Sequence, residues 1–189
     1  MPEDNFALTV YKFLKSDLEI QQPQVCRVTN ASRDILTSYR KKNLVACVEK
    51  TKHNRLFYTP RGFLEAAIIY ELSAATCGPV NASKIAEHIL DKFHVPVYPS
   101  QNSEGMADIS ALPEFSTNTV LVISSLKDHP AIAPNFAVSS NGTYHWWLSE
   151  ICAQPDQSHK YPYTLANFNI GRAFKYWIDG LHESGGLDA

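Results

Sequence analysis

Basic side chains cluster in one part of this otherwise acidic chain, and positive charge is the side-chain chemistry that the sequence displays most clearly. Between residues 24 and 61 stand nine Lys and Arg residues, opposed only by Asp34 and Glu49, which gives this basic block a net charge of +7. The whole chain has a net charge of −2, so the remaining residues are strongly acidic. Such a block indicates a surface that binds a polyanion, although a solvated basic surface without a ligand gives the same pattern.

The residues that could carry catalysis form no pattern typical of an active site. His129 stands in KDHP and His145 in YHWW, but no Ser or Cys nucleophile occupies a strand–turn–helix elbow, and no glycine-rich phosphate loop is present. A His beside Trp on a strand is more often a hydrogen-bonded core residue. We therefore predict that the protein is not an enzyme. A metal triad of His129, His145 and His159 is conceivable, but its spacing is not diagnostic, and we predict neither a metal nor a cofactor.

Cysteine usage and hydropathy place the chain among cytoplasmic proteins. Its four cysteines, at positions 26, 47, 77 and 152, contain no C-x-x-C pair, so we predict no zinc site and expect free, buried or half-buried thiols. The N-terminus starts acidic and lacks the basic and apolar regions of a signal peptide. No apolar run approaches the roughly 18 residues of a membrane span. We expect a cytoplasmic protein with no membrane partner.

The basic block begins in a predicted helix–turn–helix. Ahead of it, residues 5–18 show the three- and four-residue apolar spacing of a short amphipathic helix. Pro23 suits the first turn of a second helix. A turn at residues 29–32 then precedes a third helix, for which Ser32 or Asn30 is the expected N-cap. Ile35, Leu36 and Tyr39 form its predicted buried stripe, and Asn43 is expected to end it in a left-handed conformation.

A hairpin and two further helices follow. The stretch LVACVEKTKHNRLFYTP predicts two short strands whose tip holds residues 52–54. Thr59 is expected to cap the next helix, with Pro60 at its first position and its end near Thr76. Gly78-Pro79 interrupts the helical pattern, and another helix is predicted from Asn81 or Ser83.

This order of elements resembles the winged helix–turn–helix DNA-binding domain of the MerR family. VCRVTNASRDILTSYRKKNLV is similar to the first two helices of that domain, RLFYTPRGFLEAAIIYEL to its wing exit and third helix, and GPVNASKIAEHILDKF to its fourth helix. The resemblance covers about residues 24–93. The family usually has Arg where this chain has Thr37, so the residues that read bases are expected to differ. The long coiled coil through which the family dimerises has no counterpart after Phe93.

The resemblance implies which side chains contact DNA. Arg33 is expected to bond guanine edges, Lys41 and Lys42 to contact phosphate, and the wing tip to straddle a backbone or probe the minor groove. Tyr39 is expected to pack in the core, with its hydroxyl as a further candidate for a phosphate contact. The predicted DNA-binding residues are Ser32, Arg33, Thr37, Tyr39, Lys41, Lys42, Lys52, His53, Asn54 and Arg55.

The C-terminal part resembles no family that we identify. Residues 119–126 predict a buried strand, Asn141-Gly142 predicts a hairpin turn, and residues 164–181 predict a closing helix. We therefore predict an α+β protein with a winged helix–turn–helix domain at residues 1–98 and a small α+β domain at residues 99–189. Three roles remain open for the second domain: dimerisation, binding of a small-molecule effector in an aromatic pocket, or contact with another protein.

These features favour a sequence-specific DNA-binding transcriptional regulator that acts as a homodimer on a palindrome. Its partner is then double-stranded DNA. Two alternatives stay open. One is an architectural or excisionase-type factor that bends DNA, and the other is a winged-helix module that binds protein and not DNA.

Overall fold

The computed structural model describes residues 6–50, 55–73, 78–94, 97–98, 106–107, 112–126, 135–140, 143–145 and 163–184. Over these ranges the chain is mixed and mostly helical, which confirms the predicted α+β class. The helices are α1 (Phe6–Lys15), α2 (Gln22–Thr29), α3 (Arg33–Lys41), α4 (Pro60–Leu72), α5 (Pro79–Asp91) and α6 (Ile170–Glu183). The strands are β1 (Ile20–Gln21), β2 (Cys47–Lys50), β3 (Arg55–Tyr58), β4 (Val97–Tyr98), β5 (Met106–Ala107), β6 (Val120–Leu126), β7 (Asn135–Ser140), β8 (Thr143–His145) and β9 (Tyr163–Phe168). In this part of the chain no helix has both the length and the apolar character needed to cross a membrane.

Local capping signals set the bounds of the helices in the basic block. Asn30 ends α2 in a left-handed conformation with φ 58°, and Ser32 Oγ accepts a hydrogen bond of 3.3 Å from the Ile35 amide at the start of α3. Asn43, with φ 55°, follows the end of α3. These observations confirm the predicted cap at Ser32 and the predicted left-handed conformation of Asn43. Both features could be predicted because they depend on neighbouring residues alone.

The predicted hairpin is present and belongs to a larger sheet. β3 is the central strand of a three-stranded antiparallel sheet, with β1 on one side and β2 on the other. Tyr58 lies opposite Ile20 on β1 and opposite Cys47 on β2. The sequence did not predict β1, since two residues are too few to show a periodicity of two. This strand attaches the segment between α1 and α2 to the hairpin.

Helices α4 and α5 follow the hairpin and pack against each other, and α4 also contacts β3. Thr59 Oγ1 accepts a 3.0 Å hydrogen bond from the Gly62 amide and Pro60 opens α4, as predicted. α4 ends at Leu72, before the predicted end near Thr76, and α5 begins at Pro79 rather than at Asn81 or Ser83. The first residue of α5 is a proline, whose fixed φ suits a helix start.

The C-terminal strands form a four-stranded antiparallel sheet in the order β8-β7-β6-β9. The predicted strand over residues 119–126 and the predicted hairpin are confirmed, with Ser140 paired to Thr143. The prediction of a helix from residue 164 was wrong, because residues 163–168 pair with β6 instead. Edge hydrogen bonds on β6 stabilise the extended conformation there, and Asn169 Oδ1 then caps α6 by accepting from the Arg172 amide at 2.8 Å.

One hydrophobic core joins the N-terminal helices to α6. Phe115 contacts Phe93 and Phe174, each at a ring-centroid distance of 5.2 Å, and Phe174 contacts Trp177 at 5.7 Å. α6 also lies against α2. Although α6 belongs to the predicted second domain, it therefore packs on the first, and the boundary at residue 98 stays a prediction.

Candidate nucleic-acid interface

Helix α3 has one face in the core and one in solvent. Leu36 and Tyr39 are buried, whereas Asp34, Lys41 and Lys42 are exposed. Because successive residues of an α-helix are rotated by about 100°, these three exposed residues lie on the side of α3 away from Leu36. The amphipathic pattern thus fixes α3 against the protein and leaves its polar side open along its whole length.

The first turn of α3 is also tied to α2. Gln22 Nε2 donates to the Arg33 carbonyl at 3.3 Å and to Thr37 Oγ1 at 3.4 Å, and the Thr37 hydroxyl donates to the same carbonyl at 2.8 Å. These bonds hold the angle between the two helices. Thr37 is half-buried, and its hydroxyl takes part in the hydrogen bonds between α2 and α3. Sequence inspection missed Gln22, since a single glutamine at a helix start carries no distinctive signal.

Two of the residues predicted to bind DNA, Ser32 and Tyr39, make hydrogen bonds within the protein itself. The Ser32 hydroxyl caps the helix, although the residue is exposed. Tyr39 is only 6% exposed, and its hydroxyl lies 3.5 Å from Ser73 Oγ. A buried ring with an internal hydrogen bond stabilises the core and presents no donor to a ligand. We therefore assign Tyr39 to packing and leave it out of the candidate surface.

Five cations of α2 and α3 make no ion pair with any carboxylate in the described ranges. Arg27, Arg33, Lys41 and Lys42 are exposed and Arg40 is half-buried. We call the four exposed cations the basic surface. An unpaired exposed cation keeps its full charge available to a ligand, because no fixed carboxylate competes for it.

Arg61 behaves differently, although the sequence places it in the same basic block. Its guanidinium donates to Glu65 Oε1 and to Asp91 Oδ1, both at 2.8 Å. Partial burial works against its charge, but these hydrogen bonds with the two carboxylates raise its pKa overall. Glu65 Oε2 also accepts from the Ala46 amide at 2.8 Å. Arg61 thus links α4 to α5 and is already neutralised.

A shallow groove runs beside α3 on its solvent side. Its volume is about 400 Å³. Its lining residues are Asp34, Thr37, Ser38, Lys41 and Lys42. Lys41 and Lys42 place two cations there against the one carboxylate of Asp34, so the charge of the groove suits an anionic ligand.

The wing tip lies outside the described residues. The predictions for Lys52, His53 and Asn54 therefore stand as they were made, as does that for the Arg55 side chain. The strands on either side are described, and Lys50 pairs with Arg55 across the ladder.

The thiols that the structure describes supply no reactive nucleophile to this surface. Cys26 and Cys47 are free and half-buried, as predicted, while Cys77 and Cys152 fall outside the described residues, as do the side chains of the three C-terminal histidines named above. Burial raises the pKa of Cys47 from 9.0 to about 11 and raises that of Cys26 as well. A thiol with a raised pKa is a poor nucleophile near neutral pH. In the described ranges no group of three or more His, Cys, Asp or Glu residues could hold a metal ion.

Comparison with known proteins gives no family for this chain. No protein-family model matches it, and neither the curated proteins nor the solved structures with which it was compared include a similar one.

Proposed function

We propose that this protein is a sequence-specific DNA-binding transcriptional regulator of the winged helix–turn–helix type. In this proposal α3 enters the major groove, the β2–β3 hairpin is the wing on the backbone, and two copies bind a palindrome. The observation that carries the proposal is the basic surface, four exposed cations on α2 and α3 without a carboxylate partner in the described ranges.

The dimensions of α3 suit this role. A helix with its side chains is about 10–12 Å across, and the major groove is about 12 Å wide. The side of α3 that would enter the groove carries short polar residues and charges, with Asp34 in its first turn and Lys41 in its last. Phosphate contacts by the lysines would position the helix, and Arg33 near its start would reach base edges.

The order of elements gives further support. Helix, turn, helix and two-stranded hairpin follow one another from α2 to β3, which is the order that the MerR-like resemblance leads us to expect. The bonds from Gln22 to the first turn of α3 hold the two helices as one unit. A recognition helix must be held rigidly, since a bidentate base contact tolerates little misplacement.

The test is a selection from random duplexes, followed by fluorescence anisotropy at a series of stated salt concentrations. We expect the selected duplex to bind about 10³-fold or more tightly than a scrambled one, with affinity falling steeply as salt increases. Sedimentation of the complex would count the copies bound to one palindrome. Clustered direct repeats in the selected sequences would instead favour the DNA-bending alternative.

The variant Arg33→Gln separates base reading from general charge. A bidentate guanine contact contributes about 1–3 kcal/mol of discrimination, so the preference for the selected duplex should decrease roughly 5- to 150-fold. Arg172→Gln is the matched control, because Arg172 is likewise an exposed arginine in the first turn of a capped helix, α6. Equal affinity of the wild-type protein for all duplexes would refute sequence-specific binding. Absence of any salt-dependent affinity would refute DNA binding and leave the protein-interaction module.

A further inference from the structure

Ile35 in the first turn of α3 is partly exposed to solvent, although the sequence predicted a core residue there. Its exposed fraction is 37%, against 6% for Tyr39. The two residues are four positions apart and so lie one above the other on the same side of the helix. The prediction for Ile35 was wrong because periodicity indicates which side of a helix is apolar but not how much of that side the neighbouring elements cover; the adjacent Leu36 is fully buried.

The residues around Ile35 show which side of the first turn of α3 faces outward. Leu36, the next residue, is fully buried, so this turn packs on the core through Leu36 and leaves Ile35 on its outer side with the exposed Arg33 and Asp34. In helix–turn–helix proteins the N-terminal residues of the recognition helix are those that contact base edges. Ile35 is thus the apolar side chain at the end of α3 that would reach the bases.

The surroundings of Ile35 are charged. Arg33 and Asp34 precede it in the chain, and Lys42 follows it two turns along the same side of α3. The other large apolar side chains that are exposed in the described ranges, Val80 and Tyr176, lie on α5 and α6. An interface with another protein usually presents several apolar side chains together. A single apolar side chain among cations is suited to contact a polyanion that carries one apolar group.

We propose that Ile35 contacts the C5-methyl group of a thymine in the major groove and selects thymine at one position of the bound sequence. The thymine methyl is the apolar feature that the major groove displays, and an isoleucine at the tip of a recognition helix can cover it. This inference rests on the proposed DNA binding and adds to it one specificity-determining residue and the base that it reads.

The experiment replaces each thymine of the selected duplex, one at a time, with deoxyuridine, which removes the methyl group and keeps base pairing. We expect one substitution to weaken binding of the wild-type protein about 4-fold, the factor for taking one methyl group out of an apolar contact. Ile35→Ala should bind the unmodified duplex more weakly and lose its sensitivity at that position alone. Ile35→Val, which keeps a branched apolar side chain, should retain it.

Val80→Ala is the matched control, because Val80 is also an exposed branched residue in the first turn of a helix. It should show the wild-type sensitivity to deoxyuridine. Specific, salt-dependent binding with no effect of deoxyuridine at any position would overturn the role of Ile35 and leave the proposed function standing. Absence of DNA binding would overturn both. If Ile35→Ala changes the sedimentation of the free protein and not its response to deoxyuridine, Ile35 contacts a second copy and the inference is wrong.

Discussion

Replacing Lys41 and Lys42 together with glutamine tests the charge argument most directly. Both side chains are exposed at the end of α3, line the same groove, and have no ion-pair partner in the described ranges. Each phosphate contact on duplex DNA contributes about 0.9 to the slope of log K against log salt concentration. If both lysines contact phosphate, the double variant should lower the magnitude of that slope by about 1.8.

The same numbers give the change in affinity. Relative to 1 M salt, each contact strengthens binding at 0.1 M by about 0.9 log units, so the loss of two contacts weakens binding roughly 60-fold at that salt concentration. The loss should be equal for the selected and the scrambled duplex, because phosphate contacts do not distinguish sequences. Lys41 and Lys42 also lie at the negative end of the helix dipole, so a small loss of stability, about 0.3–1 kcal/mol each, is expected as well.

Fluorescence anisotropy of both duplexes over a range of salt concentrations measures both quantities, at a temperature where circular dichroism shows the variant folded. The control is Lys12→Gln. Lys12 is an exposed lysine on α1 that pairs with no carboxylate of the described residues, and α1 packs against α4 through Phe13 and Phe63. This variant should leave the slope unchanged. If the double variant keeps the wild-type slope, or the control loses as much, the basic surface on α3 is not where DNA binds.

Three further outcomes follow from the contacts described above. Arg61→Gln should leave the salt slope of DNA binding unchanged, because this charge is already paired; a decrease like that of one exposed lysine would contradict the assignment. Gly62→Ala should lower the free energy of unfolding in urea by about 1–3 kcal/mol or more, because a Cβ there would lie 1.7 Å from the Ala46 carbonyl oxygen; a change under about 0.5 kcal/mol would show that α4 and this carbonyl separate easily. In a variant whose one cysteine is Cys47, alkylation at pH 8 should be roughly 100-fold slower than for a thiol of pKa 9, since a pKa of about 11 leaves about 100-fold less thiolate. Its rate should rise with pH until about 11; a plateau near pH 9 would contradict the burial argument.

Much of the fold could be predicted because it depends on neighbouring residues. Ser32 caps α3 and Thr59 caps α4, each by bonding an amide three residues ahead, and Pro60 suits the first position of α4. The hairpin from β7 to β8 follows a two-residue turn signal. Such features need no knowledge of the distant chain, so their residue types and spacing are sufficient evidence.

The predictions of secondary structure failed where the conformation of a segment depends on a strand that is distant in the sequence. Leu165 and Phe168 continue the apolar stripe of α6 in the sequence, yet residues 163–168 form β9 because β6 offers an edge to pair with. The strand β1 exists only because β3 lies beside it. No window of a few residues contains these partners, and the hydrogen bonds that they supply outweigh the local preference.

The candidate surface divides in the same way. The sequence by itself determined that two short helices and a hairpin carry the positive charge, because composition and capping residues are local. Only the tertiary structure decided which charges are free. It paired Arg61 with Glu65 and Asp91, buried Tyr39, and left Ile35 partly exposed in the first turn of α3. The physical reason is that charge pairing and burial depend on the elements that pack around a side chain, and those elements come from distant parts of the chain.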